Sequence, residues 1–320
     1  MYFAIFGRAF NSYMNTNSSY GGLLENGTAS LILSCPIEYD ALLALAQFFS
    51  TKKITLSKCH QHTGFECLFL RLTWRLTGDW ADEASFSNEF DNIAKSLSAE
   101  FEVRFSSRRQ SIGVFVTENT ELLDELLGQK RRFPSMELAF IASTNAHFSS
   151  LADRYGLPFF LIEDALTEQA EQLKILSIVQ RYKLDYLAVL GCHEQLSSEL
   201  LSKCVCPMFS ISPIALAASN IDSLEVSGSN VYEREFDAGA KLLGAEVHFV
   251  ENNEEQGIEN FGQRKAIIEQ QVVSIKSADS RVDMAKLGHA VERAAFSNAL
   301  TLLLEHRVLK FNQRTIVFHD

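Results

Sequence analysis

No apolar run in this 320-residue chain reaches the ~18–20 residues that a helix needs to cross a membrane, so no helical span is expected. The amino terminus has no basic segment followed by an apolar one, and a secretory leader is not expected either. Basic charge is scarce: 29 Lys and Arg stand against 40 Asp and Glu, for a net charge of −11. Nucleic acid and anionic membranes both need a concentrated basic surface, which argues against either as a partner. The local basic clusters, Arg108-Arg109 and Lys130-Arg131-Arg132, are short and read as solvated turns. Cysteine is also sparse. Six residues (Cys35, Cys59, Cys67, Cys192, Cys204, Cys206) do not make a disulfide scaffold at this length. Cys204 and Cys206 stand two apart, which is not zinc-knuckle spacing, so no metal is expected. Reduced thiols in a cytoplasmic protein are the simplest reading. Neither a Gly-x-Ser-x-Gly nucleophile elbow nor a Gly-rich phosphate loop occurs. What is present is the composition of a globular protein, 47% hydrophobic and 22% charged.

The pattern along the chain divides it into three. Residues 1–27 are rich in Asn and Ser between Asn11 and Ser19 and read as a flexible extension. Residues 28–106 predict a strand at Ala29–Ser34, a helical stretch opened by Pro36, a strand at Ile54–His60 and a turn at His62-Thr63-Gly64. A strand at Cys67–Arg75, a helix at Ser85–Ala99 and a strand at Phe101–Phe105 follow. The order βαββαβ is that of a ferredoxin-like α+β domain. In the first helix Leu42, Leu43, Leu45, Ala46, Phe48 and Phe49 are the apolar positions; in the second Phe86, Phe90, Ile93, Ala94 and Leu97 form one stripe.

Residues 107–320 begin with a linker at Ser107–Arg109 and then alternate. Strands are predicted at Ser111–Thr117, Glu137–Ser143, Phe159–Ile162, Leu187–Leu190 and Met208–Ile211, with helices at Leu122–Leu127, Asn145–Tyr155, Leu166–Tyr182 and Gln195–Leu201 between them. Such alternation implies a doubly wound α/β domain with a mainly parallel sheet covered on both faces. Strands at Val247–Val250 and Ile267–Ile275, a long amphipathic helix at Asp283–His306 and a hairpin around Asn312-Gln313 complete the chain.

Several segments in this order resemble the formyltetrahydrofolate deformylase family, which joins an ACT-like domain to a formyltransferase-like domain. The resemblance rests on Ser34-Cys35-Pro36, His62-Thr63-Gly64, Arg108-Arg109, Val114–Thr117, Tyr155-Gly156-Leu157-Pro158-Phe159 and Leu184-Asp185-Tyr186. It is strongest in the run from Gly239 to Val250. Asp283-Met284, Gly288, Val291-Glu292, Ala299-Leu300, His306-Arg307-Val308 and Asn312–Ile316 extend it, so that about residues 29–318 are covered. The resemblance implies hydrolysis of 10-formyltetrahydrofolate to tetrahydrofolate and formate, with no covalently bound cofactor, within one-carbon and purine metabolism. It also implies a homo-oligomer, a dimer or tetramer, paired through the ACT-like domain.

In that reaction water attacks a formyl carbon and negative charge develops on its oxygen, which calls for an oxyanion donor, a proton carrier and an orienting carboxylate. The family supplies Asn, a His two residues later on the same strand, and an Asp on a later loop. Here Ser210 stands at the Asn position and Ser212 at the His position. Serine donates a hydrogen bond but does not titrate near neutrality. The later loop, Glu251 to Lys265, is longer than the family's. Glu254 or Glu255 falls at the Asp position if the extra residues follow Gly257, and Gln263 falls there if they precede it. At the folate-pocket positions stand His193, Glu194 and Leu196, with Glu194 in place of a family arginine. His248 survives at its family position, either as a core group or as a functional one. Asp40 replaces the glycine of the ACT-like effector loop and would repel a ligand carboxylate. Pairs built from Ser212 with His248 or His193, or from Cys192 with His193, are weaker candidates for a nucleophile and its base. Three functions remain in play: a deformylase impaired to a pseudoenzyme, an active deformylase with a rewired site, and a new small-molecule-binding or regulatory role for the same cleft.

Overall fold

A computed structural model describes residues 27–37, 40–76, 80, 82–117, 120–162, 169–191, 196–214, 230–251, 266–276 and 280–319. The expected amino-terminal extension lies outside them. The chain divides into two compact units, one ending at Arg108 and the next beginning at Arg109. No helix among the described residues is long and apolar enough to cross a membrane.

The first unit contains β1 (Thr28–Pro36), α1 (Ala41–Thr51), β2 (Leu56–Gly64), β3 (Cys67–Arg75), α2 (Glu83–Ser96) and β4 (Glu100–Phe105). The strands pair antiparallel in the order β2-β3-β1-β4, the ferredoxin-like arrangement. Alternation along the strands turns Ala29, Leu31, Leu33 and Cys35 of β1, with Leu68, Leu70, Leu72 and Trp74 of β3, onto one core. Aromatic rings from the helices and from Trp80, which precedes α2, interlock above it. Trp80 meets Phe86 edge-on at 4.8 Å, and Phe48 meets Phe90 at 5.4 Å.

Two local expectations for this unit are corrected. Pro36 does not open the helix. It ends β1, paired with Cys67, and the helix starts at Ala41 behind Asp40, whose carboxylate accepts a hydrogen bond from the Leu43 backbone N–H at 3.4 Å. The buried positions of α1 are Ala41, Leu45, Phe48 and Phe49, an i, i+4, i+7, i+8 stripe, while Leu42 and Leu43 are exposed. The turn likewise falls later than His62-Thr63-Gly64, which lie inside β2. Phe65 and Glu66 make it, both with positive φ (54° and 58°). Two-residue hairpins favour this geometry because it matches strand twist, although side chains other than Gly or Asn are strained in it. Phe65 is half exposed, so replacing it costs little burial. The double substitution Phe65→Asn with Glu66→Gly is therefore expected to raise stability by about 1–2 kcal/mol in urea unfolding.

The second unit contains β5 (Gln110–Val116), α3 (Thr120–Gln129), β6 (Met136–Ser143), α4 (Phe148–Tyr155), β7 (Phe159–Leu161), α5 (Gln169–Tyr182), β8 (Tyr186–Leu190), α6 (Ser198–Lys203) and β9 (Met208–Ile214). It closes with α7 (Asn230–Asp237), β10 (Leu242–Phe249), β11 (Ala266–Ser274), α8 (Arg281–Leu304), β12 (Val308–Phe311) and β13 (Arg314–Val317). The seven-stranded sheet runs β11-β10-β9-β8-β5-β6-β7. Strands β5 to β9 are parallel, and β10 and β11 are antiparallel to their neighbours. Helices cover both faces. On one, α3, α4 and α8 pack on Val114, Ala188, Phe209 and Val247; on the other, α5 and α6 pack on Phe115, Val189 and Met208. Gly113 is required where β5 passes Phe140 and Leu184, since a Cβ there would lie 2.5–2.9 Å from their side chains.

Helix α7 carries no expectation from sequence. It docks on α8 through Tyr232, whose ring covers Gly288 and whose hydroxyl donates to the buried Glu292 carboxylate. Burial pushes the Tyr232 phenol well above its ordinary range, and the neighbouring carboxylate adds to this. A Cβ at Gly288 would fall 2.3 Å from the Tyr232 ring. Gly288→Ala is therefore expected to destabilise the protein by about 1–3 kcal/mol in chemical denaturation.

Candidate functional site

In an open α/β sheet, ligands bind at the carboxyl ends of the parallel strands where the strand order reverses. Here the chain runs outward from β5 to β6 and β7, then returns to β8 on the other side of β5. The reversal therefore lies between β5 and β8. Their ends are joined there by the Thr117 N–H donating to the Leu190 carbonyl at 3.2 Å. Gly191, at φ 101°, turns the chain out of β8 through a backbone region that other residues rarely adopt.

Strand β9 runs beside β8 and outlasts it. Val189 pairs with Ser210, and β9 continues through Pro213 to Ile214 along β10. The strand was expected to end at Ile211. It extends further because Pro213 lies beyond the end of β8, where pairing is to β10 alone. Met208 belongs to the core under α5 and α6, whereas Phe209 and Ile211 belong to the core under α8. Alternation therefore turns Ser210 and Ser212 toward the α5–α6 side.

Strand β10 adds to the same stripe. His248 stands opposite Ser210, and Glu246 stands opposite Ser212. Residues opposite one another share a face, with Cβ atoms about 4.5–5.5 Å apart in an antiparallel pair. A β-bulge between Val247 and His248 shifts the pairing with β11, a distortion that re-aims side chains near sites. Ser210, Ser212, Glu246 and His248 thus form a polar stripe on two adjacent strands. Ser210 and His248 are 0% and 2% exposed and Ser212 is buried, while Glu246 is half-buried. Gln270 of β11 donates to the Glu246 carboxylate at 3.2 Å.

The Ser210 hydroxyl donates to the Val189 carbonyl at 2.7 Å. A serine hydroxyl has one proton to donate. In this arrangement the Val189 carbonyl on β8 accepts that proton.

The expected site residues are placed unequally. Ser210, Ser212 and His248 come together as described. Leu196 is buried in the core under α5 and α6, beside Leu200 and Cys206. His193, Glu194 and Glu255 lie outside the described residues, as do Cys192, Glu254 and Gln263. Glu246 was missed by the sequence reading. Its signal was the Glu246-Val247-His248 alternation, which puts a carboxylate on the histidine's side of the strand. Among the described residues, no group of three or more His, Cys, Asp or Glu is arranged to hold a metal ion. Deleting the buried hydroxyl while keeping the volume nearly constant, Ser210→Ala, is expected to cost about 1 kcal/mol of unfolding free energy by thermal or urea denaturation.

Comparison with known proteins locates this architecture. No family model matches the chain. A formyltetrahydrofolate deformylase from Synechocystis is 27% identical over 308 residues, covering 92% of this chain and all of that protein. The crystal structure of a formyltetrahydrofolate deformylase from Pseudomonas syringae superposes with a TM-score of 0.78 at 19% identity, covering 98% of this chain and 100% of that one. A phosphoribosylglycinamide formyltransferase from Coxiella burnetii superposes with a TM-score of 0.54 at 19% identity over 66% of this chain and 94% of its own. The structural likenesses carry the fold alone. Along nine-tenths of its length the chain is similar in sequence to formyltetrahydrofolate deformylases, and it shares the fold of solved proteins of that name.

Proposed function

We propose that this chain keeps the deformylase architecture as a binding or regulatory module and hydrolyses 10-formyltetrahydrofolate poorly or not at all. The observation that carries this reading is the Ser210 hydroxyl, 0% exposed and bonded to the Val189 carbonyl. An oxyanion donor must point its proton at the place where charge develops, and removing one such donor typically costs ~10²–10³ in rate. Ser212, at the family's histidine position, has no titration near neutrality with which to carry a proton. Loss of a general acid or base costs ~10²–10⁴. The two losses act on one step and do not simply multiply. Glu194 at a family arginine position adds to the argument, because a carboxylate there disfavours the anionic tail of a folate. Subunit pairing through the first unit, giving a dimer or tetramer, is the accompanying proposal.

Formate release from 10-formyltetrahydrofolate by the purified full-length chain is expected not to exceed the solvent rate. Turnover well above background that falls on Ser210→Ala or Ser212→Ala would overturn the reading. Restoring the family pair, Ser210→Asn with Ser212→His, is expected to raise formate release by at least about 10²-fold, the size of the missing contributions. Calorimetric titration separates a loss of chemistry from a loss of folate binding.

One specific observation supports a second reading, an active site with rewired chemistry. His248 faces Ser210 and Glu246 faces Ser212 across the β9–β10 ladder, so an imidazole and a carboxylate remain on the stripe. Under this reading His248→Gln abolishes a measurable activity, while under the first it changes stability alone.

A further inference from the structure

At the opposite end of β9 from the polar stripe, α6 ends at Lys203 and the chain returns to the sheet through Cys204-Val205-Cys206-Pro207. Both cysteines are free thiols with their sulfurs 3.8 Å apart, close to van der Waals contact. Cys204 is half-buried and its thiol also reaches the Cys206 carbonyl at 3.5 Å. Val205 between them is 72% exposed, so this corner is at the surface, while Cys206 is buried in the core under α5 and α6. Cys204 takes an extended backbone conformation at the end of α6. That places the two sulfurs side by side, which successive helical positions would not do.

We propose that Cys204 and Cys206 form a thiol–disulfide exchange site that reacts with low-molecular-weight disulfides of the glutathione class. In the first step the Cys204 thiolate attacks one sulfur of the small disulfide. The S–S bond of that molecule breaks, one small thiolate leaves and takes up a proton, and Cys204 carries a mixed disulfide. In the second step Cys206 gives up its proton to solvent and attacks the Cys204 sulfur. The second small thiol leaves, and a Cys204–Cys206 bond of about 2.0 Å closes the gap. Two protein thiols are oxidised and one small disulfide is reduced to two thiols, so electrons and protons balance without another reactant.

The surroundings assign the two roles. The contact between the two sulfurs, in which either can donate, holds the Cys204 thiol down to about 7, and the same contact together with burial pushes Cys206 up. The half-buried partner is thus the attacking group and the buried one the resolving group. Cys35 and Cys59 have thiols raised by burial, which makes them slower competitors.

The test is peptide mapping of the full-length, fully reduced chain after timed exposure to oxidised glutathione, with remaining thiols blocked. The expected result is an intrachain link between Cys204 and Cys206 that appears before modification of Cys35 or Cys59 and is reversed by dithiothreitol. Its rate should be about tenfold greater at pH 8 than at pH 6, following the Cys204 thiolate fraction. In Cys206→Ala the reaction should stop at a glutathione adduct on Cys204; in Cys204→Ser, Cys206 should stay reduced. The wild-type map decides the matter even if Cys206→Ala fails to fold. Cys204 and Cys206 remaining thiols while other cysteines react, or a Cys204 adduct that persists in the wild type without closing, would overturn the proposal.

Discussion

Strand β9 is held from both sides, and much of the second unit depends on that. Its amino-terminal half is locked into the parallel ladder with β8, its residues from Phe209 to Ile214 are locked into the antiparallel ladder with β10, and Phe209 and Ile211 anchor it under α8. Because side chains alternate, these apolar anchors leave Met208, Ser210 and Ser212 no choice but the other face. A one-residue slip would put Phe209 and Ile211 where the hydroxyls now stand. The hydrogen bond from Ser210 to the Val189 carbonyl is made possible by the same register. It draws the Ser210 hydroxyl into the internal bonding of the sheet.

The architecture does not depend on which polar groups stand on the stripe. The fold draws its stability from the two apolar faces of the sheet and from the helices laid on them. The polar stripe contributes little to that, so its residues can change without loss of the scaffold. The carboxylate of Glu246 and the imidazole of His248 stand on the stripe beside the two serines.

Tight contacts elsewhere are backbone-dependent in the same way. Gly113 lets β5 pass Phe140, and Gly288 lets Tyr232 seat α7 on α8. Neither position reveals its reason in the sequence, because the partner ring lies far along the chain in the case of Gly288, and on a neighbouring strand in the case of Gly113. The Phe65-Glu66 turn is a further instance. Composition pointed to Gly64 as the turning residue, yet the twist of the paired strands placed two non-glycine residues at positive φ instead.

The sequence by itself determined the class of each unit: apolar strand segments such as Ala29–Ser34 and Cys67–Arg75, a helical stripe of Phe86, Phe90, Ile93, Ala94 and Leu97, and regular strand–helix alternation after Arg109. These are local patterns, set by which faces of a strand or helix are apolar, and they are readable without knowing the partners. It also brought Ser210, Ser212 and His248 forward as site positions, through resemblance. Only the tertiary structure decided which strands stand side by side, and so that His248 faces Ser210, that Glu246 joins them, and that the Ser210 proton goes to Val189. Those facts depend on the register between strands separated by 20 to 40 residues of chain. Register is chosen by the packing of both sheet faces together, which no single segment encodes.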